Sequence, residues 1–191
     1  MSVYPVKKYS IVGACGLDCG LCPRFYTKGE SRCPGCCGPD FWNKHPSCGF
    51  ITCCVKQRNL ETCAQCVDWE HCDRVIRNLQ GAKNTDSFIS YQPLTGNFAF
   101  IHKNGIDDFV RLELEKIKFL RHLIENYDEG RSRSFYCLSC QLIPLENLRK
   151  ALLEAEEYIG KDHSIKDKAG IVRAAITSLA KDLNISLKLR K

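Results

Sequence analysis

Cysteine spacing constrains this chain more than any other feature. Cys15-x3-Cys19-x2-Cys22 is followed by Cys33-x2-Cys36, then Cys37, Cys48, Cys53 and Cys54, then Cys63-x2-Cys66-x5-Cys72. Twelve of the 14 cysteines fall in that stretch; only Cys137 and Cys140 lie beyond it. A Cys-x2-Cys pair bends the backbone so that both sulfurs face one point, each about 2.3 Å from a zinc ion. Two such pairs separated by a short loop can close a tetrahedron, and Cys19/Cys22 with Cys33/Cys36 fit that description. Cys33-Pro34-Gly35-Cys36 has the turn chemistry of a zinc knuckle, with amide protons able to point at the sulfurs.

Whether such cysteines carry metal or disulfides depends on the compartment. The start, Met1-Ser2-Val3-Tyr4-Pro5-Val6-Lys7-Lys8, has no apolar core of a secretory signal, and no apolar run approaches the roughly 18 residues of a membrane span. A cytoplasmic location, reduced thiols and no membrane contact are the expectation. With 44% hydrophobic and 26% charged residues the chain has the balance of an ordinary globular protein. The net charge of +6 is spread thinly: residues 1–83 hold 11 Lys/Arg against 7 Asp/Glu, and the remainder 17 against 15. With no basic run longer than a doublet, nucleic acid is not the expected partner.

The chain divides in composition near residue 83. Residues 1–83 are rich in Cys, Gly and Pro and show little periodicity, apart from a helical segment at Asp73–Leu79. So little apolar surface needs cross-links, which here means a metal-binding domain. Residues 84–191 read as mainly helical. Ile106, Val110, Leu114, Ile117, Leu120, Ile124 and Tyr127 form one stripe, widened by Phe109, Leu112, Phe119 and Leu123. A second helix is expected from Pro144 to Ile159, and a third from a Ser164/Asp167 capping box to about Leu183. Ile185–Arg190 alternates like a strand, and Phe88–Tyr91 and Phe98–Ile101 are further strand candidates. The expected class is α+β: an irregular cysteine-rich part, then about three helices with a short β element.

Iron–sulfur ligation is the alternative to zinc. Cys15-x3-Cys19-x2-Cys22 is a close triple, and Cys22-Pro23 matches a ferredoxin feature, but neither C-x2-C-x2-C-x3-C nor C-x4-C-x2-C occurs. The spacing therefore favours zinc. Cys15-Gly16-Leu17-Asp18-Cys19-Gly20-Leu21-Cys22-Pro23, Cys33-Pro34-Gly35-Cys36, Ile51…Cys54 and Cys63-x2-Cys66-x5-Cys72 resemble a prokaryotic cysteine-rich family catalogued as domain of unknown function 3795, over roughly Ile11 to Leu79. The resemblance implies a small metal-binding domain, generally supposed to hold zinc, with no established activity. It marks Cys15, Cys19, Cys22, Cys33, Cys36, Cys48, Cys54, Cys63, Cys66 and Cys72. The stretch between Cys48 and Cys54 is one residue longer than the family pattern, so Cys53 and Cys54 can exchange roles, and Cys37 is additional. Ten matched cysteines exceed the eight that two zinc ions use.

Cys137-x2-Cys140 reads as the approach to the helix at Pro144, where a helix dipole and Arg131 and Arg133 would favour a reactive thiolate; packing at a helix start is the plainer reading. His45 and His71 lie near the metal loops but read as surface residues. Phe25, Tyr26, Phe41, Trp42 and Trp69 read as core. Three functions are open, in order: a zinc-stabilised module that binds a protein or small molecule, an iron–sulfur redox protein, and a thiol- or metal-dependent enzyme. No acid/base pair, nucleotide loop or triad is present to support the last.

Overall fold

The computed structural model describes residues 6–45 and 48–191. Met1–Pro5, the first part of the stretch read above for a signal, and Pro46 beside His45 lie outside the described residues. The chain forms two compact units: one of the residues up to Leu114 together with Leu189–Lys191, the other Glu115–Lys188. The polar junction at Gly81–Ser87 lies inside the first unit.

The first unit is built from tight turns and short helices. Helical turns of 3₁₀ type occupy Cys19–Leu21, Pro23–Tyr26, Cys63–Gln65 and Trp69–His71. α1 is Phe41–Lys44, a wide π-type helix spans Ile51–Gln57, α2 is Asp73–Gly81 and α3 is Leu94–Asn104. A π-type turn is rare and tends to mark functional sites; here it carries Cys53 and Cys54. The core gathers Val12, Ala14, Ile51, Ala64, Val75, Leu94, Phe98 and Ile101, and it takes in Cys37, Cys54 and Cys63. Buried cysteines thus serve as core side chains as well as sulfur donors.

α4, Ile106–Tyr127, has the bounds its apolar stripe predicts. Gly105, at φ 87°, supplies the left-handed link that separates it from α3. Its buried face differs in detail: Leu112 and Leu114 are about half exposed, and Glu113 is buried instead. The second unit continues with α5 at Arg133–Leu142, α6 at Leu145–Glu156 and α7 at Ile165–Asp182. α7 starts with the expected capping box, Asp167 N–H donating to Ser164 Oγ at 3.2 Å. α6 packs along α7 through Leu148, Ala151, Leu152 and Ala155 on one side and Ala169, Val172, Ile176 and Ala180 on the other. Tyr136 Oη donates to the Tyr127 carbonyl at 3.0 Å, and Tyr127 Oη to Glu156 at 2.6 Å. Those two bonds tie α5 and α6 to the end of α4.

The expected α+β class does not hold. Among the described residues there is no β-strand, and the protein is mainly helical. Phe98–Ile101 lies within α3, where Leu94, Asn97, Phe98 and Ile101 are buried at helical spacing; a four-residue apolar run fits either period. Phe88–Tyr91 is a bend followed by irregular chain. Ile185–Arg190 is irregular, with a bend at Lys188, and has no strand beside it to take its backbone hydrogen bonds. Its last anchor is instead Asp86, whose N–H donates to the Arg190 carbonyl at 3.0 Å. No helix is long and apolar enough to cross a membrane, among the described residues.

Candidate metal centre

The loop Cys15–Cys19 is fixed before any metal is considered. Gly13 N–H donates to the Leu17 carbonyl at 2.7 Å, and Gly20 N–H to the Ile11 carbonyl at 2.8 Å. Gly16 sits at φ 87° with the Phe98 ring against it, so close that a Cβ would stand 2.5 Å from Phe98 Cε2. Asn97 of α3 donates to the Gly16 carbonyl at 3.1 Å and to Asp18 Oδ1 at 2.7 Å. The second knuckle is pinned the same way. Gly35, at φ 84°, lies against the Ser10 backbone, and Cys36 N–H donates to the Ser10 carbonyl at 2.8 Å.

These loops place Cys15 and Cys19 where both feel the charge of Cys36, with Cys15 acting on Cys19 and Cys48 on Cys15. Burial pushes the Cys15 thiol up to about 12, and burial with the neighbouring thiols raises Cys19 well above its ordinary value. Cys36 goes the other way. The Cys37 thiol bonded to it, the Lys7 charge and the Ala14 N–H, 3.3 Å from Cys36 Sγ, bring it down to about 6 against the push of burial. Lys7 is only 5% exposed, and its ammonium donates to the Val12 carbonyl. Burial raises Cys22, which feels the charge of Cys33 and itself acts on Cys19.

A second group surrounds a cavity of about 50 Å³ lined by Cys53, Cys54, Cys63, Cys66 and Cys72, with Arg58, Leu60, Asp68, Trp69 and Val75. Its cysteines come from the π-type helix and from the two 3₁₀ turns. Thr62 and Gln65 form a capping box that starts the first of those turns. Cys54 Sγ donates to the Leu60 carbonyl at 3.4 Å. The Cys63 thiol is driven up by its bond to Cys54, by burial and by the charge of Cys72. The buried Trp69 indole N–H has no hydrogen-bond partner.

Charge interactions thus link Cys15, Cys19, Cys36 and Cys48, and link Cys22 to both Cys19 and Cys33, while Cys54, Cys63, Cys66 and Cys72 line one cavity with Cys53. Among the described residues, no three Cys, His, Asp or Glu side chains converge on a single ion position. The donors fit a thiophilic cation chemically. Buried thiols that raise one another's pKa are stabilised when a dication takes their protons' place, and a buried N–H without a partner suits a metal-bound sulfur.

His71 is exposed, and His45 stacks on Phe41 with 4.7 Å between ring centres. Cys137 and Cys140 lie inside α5, each 1% exposed, not on the approach to α6. Sequence reasoning passed over Lys7, Arg58, Asn97 and Asp18. Only Asp18, inside the Cys-Gly-Leu-Asp-Cys run, carried a signal. No family model, no curated protein and no solved structure matches the chain, so membership of the cysteine-rich family is a proposal resting on the motif residues.

Proposed function

We propose that the first unit is a thiolate metal-binding module of the cysteine-rich family named above, holding about two zinc ions, and that it works by binding a protein or small-molecule partner. The observation that carries this reading is the cavity with five cysteines in its lining. The first ion draws its four ligands from among Cys15, Cys19, Cys22, Cys33, Cys36 and Cys48, and the second from Cys54, Cys63, Cys66 and Cys72. Zinc in such sites links segments that have too small a core of their own and adds directly to folding free energy. Thiolates of this kind persist in a reducing compartment, so the reading places the chain in the cytoplasm.

The second reading is an iron–sulfur protein. A cavity of about 50 Å³ among the thiols has room for more than one atom, and the unpartnered Trp69 N–H could serve a sulfide. Elemental analysis of anaerobically purified protein separates the two. Colourless protein with about two zinc ions per chain is the expected result. Brown protein with iron and acid-labile sulfide would replace zinc by the second reading, and a chain free of metal would defeat both.

A further inference from the structure

The second thiol cavity has a cation built into it. Arg58 follows the π-type helix, whose last wide turn is closed by Arg58 N–H donating to the Cys53 carbonyl at 3.1 Å. Its Nη1 donates to Cys66 Sγ at 3.0 Å and to Asp68 Oδ2 at 3.0 Å. One side chain thus joins the element that supplies Cys53 and Cys54 to the turn that supplies Cys66. Arg74, in the first turn of α2, adds charge at Cys63. Its guanidinium lies so close to Gly49 that a Cβ there would be 1.9 Å from Nη1.

The Arg58–Asp68 pair alone does not account for this placement. The two side chains are 45% and 63% exposed, and ion pairs that open to water contribute little. The contact to sulfur does account for it. Four thiolates on a dication carry a net charge of −2, which a pocket walled by Leu60, Trp69 and Val75 solvates poorly. An N–H donor on a coordinated sulfur withdraws part of that charge, and a guanidinium keeps its own charge at every accessible pH. Lys7, beside Cys36, is the equivalent at the first group.

We infer that Arg58 is the counter-charge of a metal–thiolate centre in this cavity, hydrogen-bonded to the Cys66 sulfur and held in place by Asp68, and that it sets how tightly the metal is kept. The inference rests on the metal-binding reading above.

The test uses the full chain loaded with zinc alone, as wild type and as Arg58→Gln, Arg58→Lys and Cys66→Ser. Zinc retention is followed against a graded series of chelators. Arg58→Gln is expected to keep the wild-type stoichiometry and to release one ion at about ten- to a hundredfold weaker chelation. Arg58→Lys should recover part of that difference, and Cys66→Ser should lose the ion outright. If Arg58→Gln releases both ions as wild type does, the inference falls and the metal reading stands. A metal-free Arg58→Gln chain that melts lower by as much as its loaded form would make Arg58 a structural residue and also overturn the inference. Wild type that takes up no zinc overturns this inference together with the zinc reading.

Discussion

Asn97 in α3 donates to Asp18 Oδ1 at 2.7 Å, across 79 positions of chain, and Asp18 is only 2% exposed. The first cysteine loop is thus held to a helix that contains no cysteine. Its shape comes from polar bonds and a close ring contact as well as from any metal.

Asn97→Ala removes a donor from the buried Asp18 carboxylate and another from the Gly16 carbonyl. A loss of about 1–3 kcal/mol is expected, read as a lower denaturant midpoint of the first unit. Metal analysis should show the first group losing occupancy before the second. Equal loss from both would mean that α3 does not specifically support the Cys15–Cys19 loop.

Gly16→Ala and Gly29→Ala separate backbone from packing. Both glycines have positive φ, 87° and 76°, but nothing stands within 4 Å of a Cβ at Gly29. Gly29→Ala should therefore cost only the left-handed penalty of about 1–2 kcal/mol. Gly16→Ala should cost about 2–5 kcal/mol, because the methyl group also meets Phe98. Equal melting temperatures for the two variants would contradict the close approach of Phe98 to Gly16.

Arg190 binds Asp86 through both side-chain oxygens, with Nη2 at 2.7 Å from Oδ1 and Nε at 3.1 Å from Oδ2. Burial pushes the Asp86 carboxyl up, but Arg190 and the backbone N–H groups of Tyr91 and Arg190 outweigh it and hold it well below the usual carboxylate range. A depressed carboxyl contributes stability that is complete above its unfolded value of about 3.9 and is lost as the pH falls toward the folded value. Arg190→Met should cost about 3–5 kcal/mol at neutral pH, since it leaves a buried carboxylate without its cation. The variant should also lose less of its remaining stability between about pH 5 and pH 3 than wild type does. Parallel pH profiles would show that the pair is not the source.

Cys137 and Cys140 are expected to resist limiting iodoacetamide in the folded protein and to react freely once it is denatured, because both lie inside α5 at 1% exposure. Peptide mass spectrometry reads this directly. Modification of either in the native chain would restore the dithiol as a functional candidate.

The helices that showed in the sequence are those with one wet face. α4 and α7 carry apolar residues at helical spacing against charged ones, and Ser164 marks where α7 begins. α5 escaped because Tyr136 through Gln141 are all buried, Ser139 and Gln141 with them, so its polar residues do not mark a wet face. α3 was hidden by its short apolar run, and Ile185–Arg190 alternates without a neighbouring strand to make the alternation a sheet. In the candidate site the cysteines were legible because their spacing is local. Lys7 and Arg58 were not, since a cation meets a sulfur there only after the chain has folded, and no local pattern sets one beside the other.

The return of Leu189–Lys191 to the first unit makes Glu115–Lys188 an insertion within it. Arg190 is added to the growing chain 104 residues after Asp86. During translation the cysteine-rich unit is therefore the first to emerge and the last to be closed, and Asp86 waits for its cation until the inserted helices have been made.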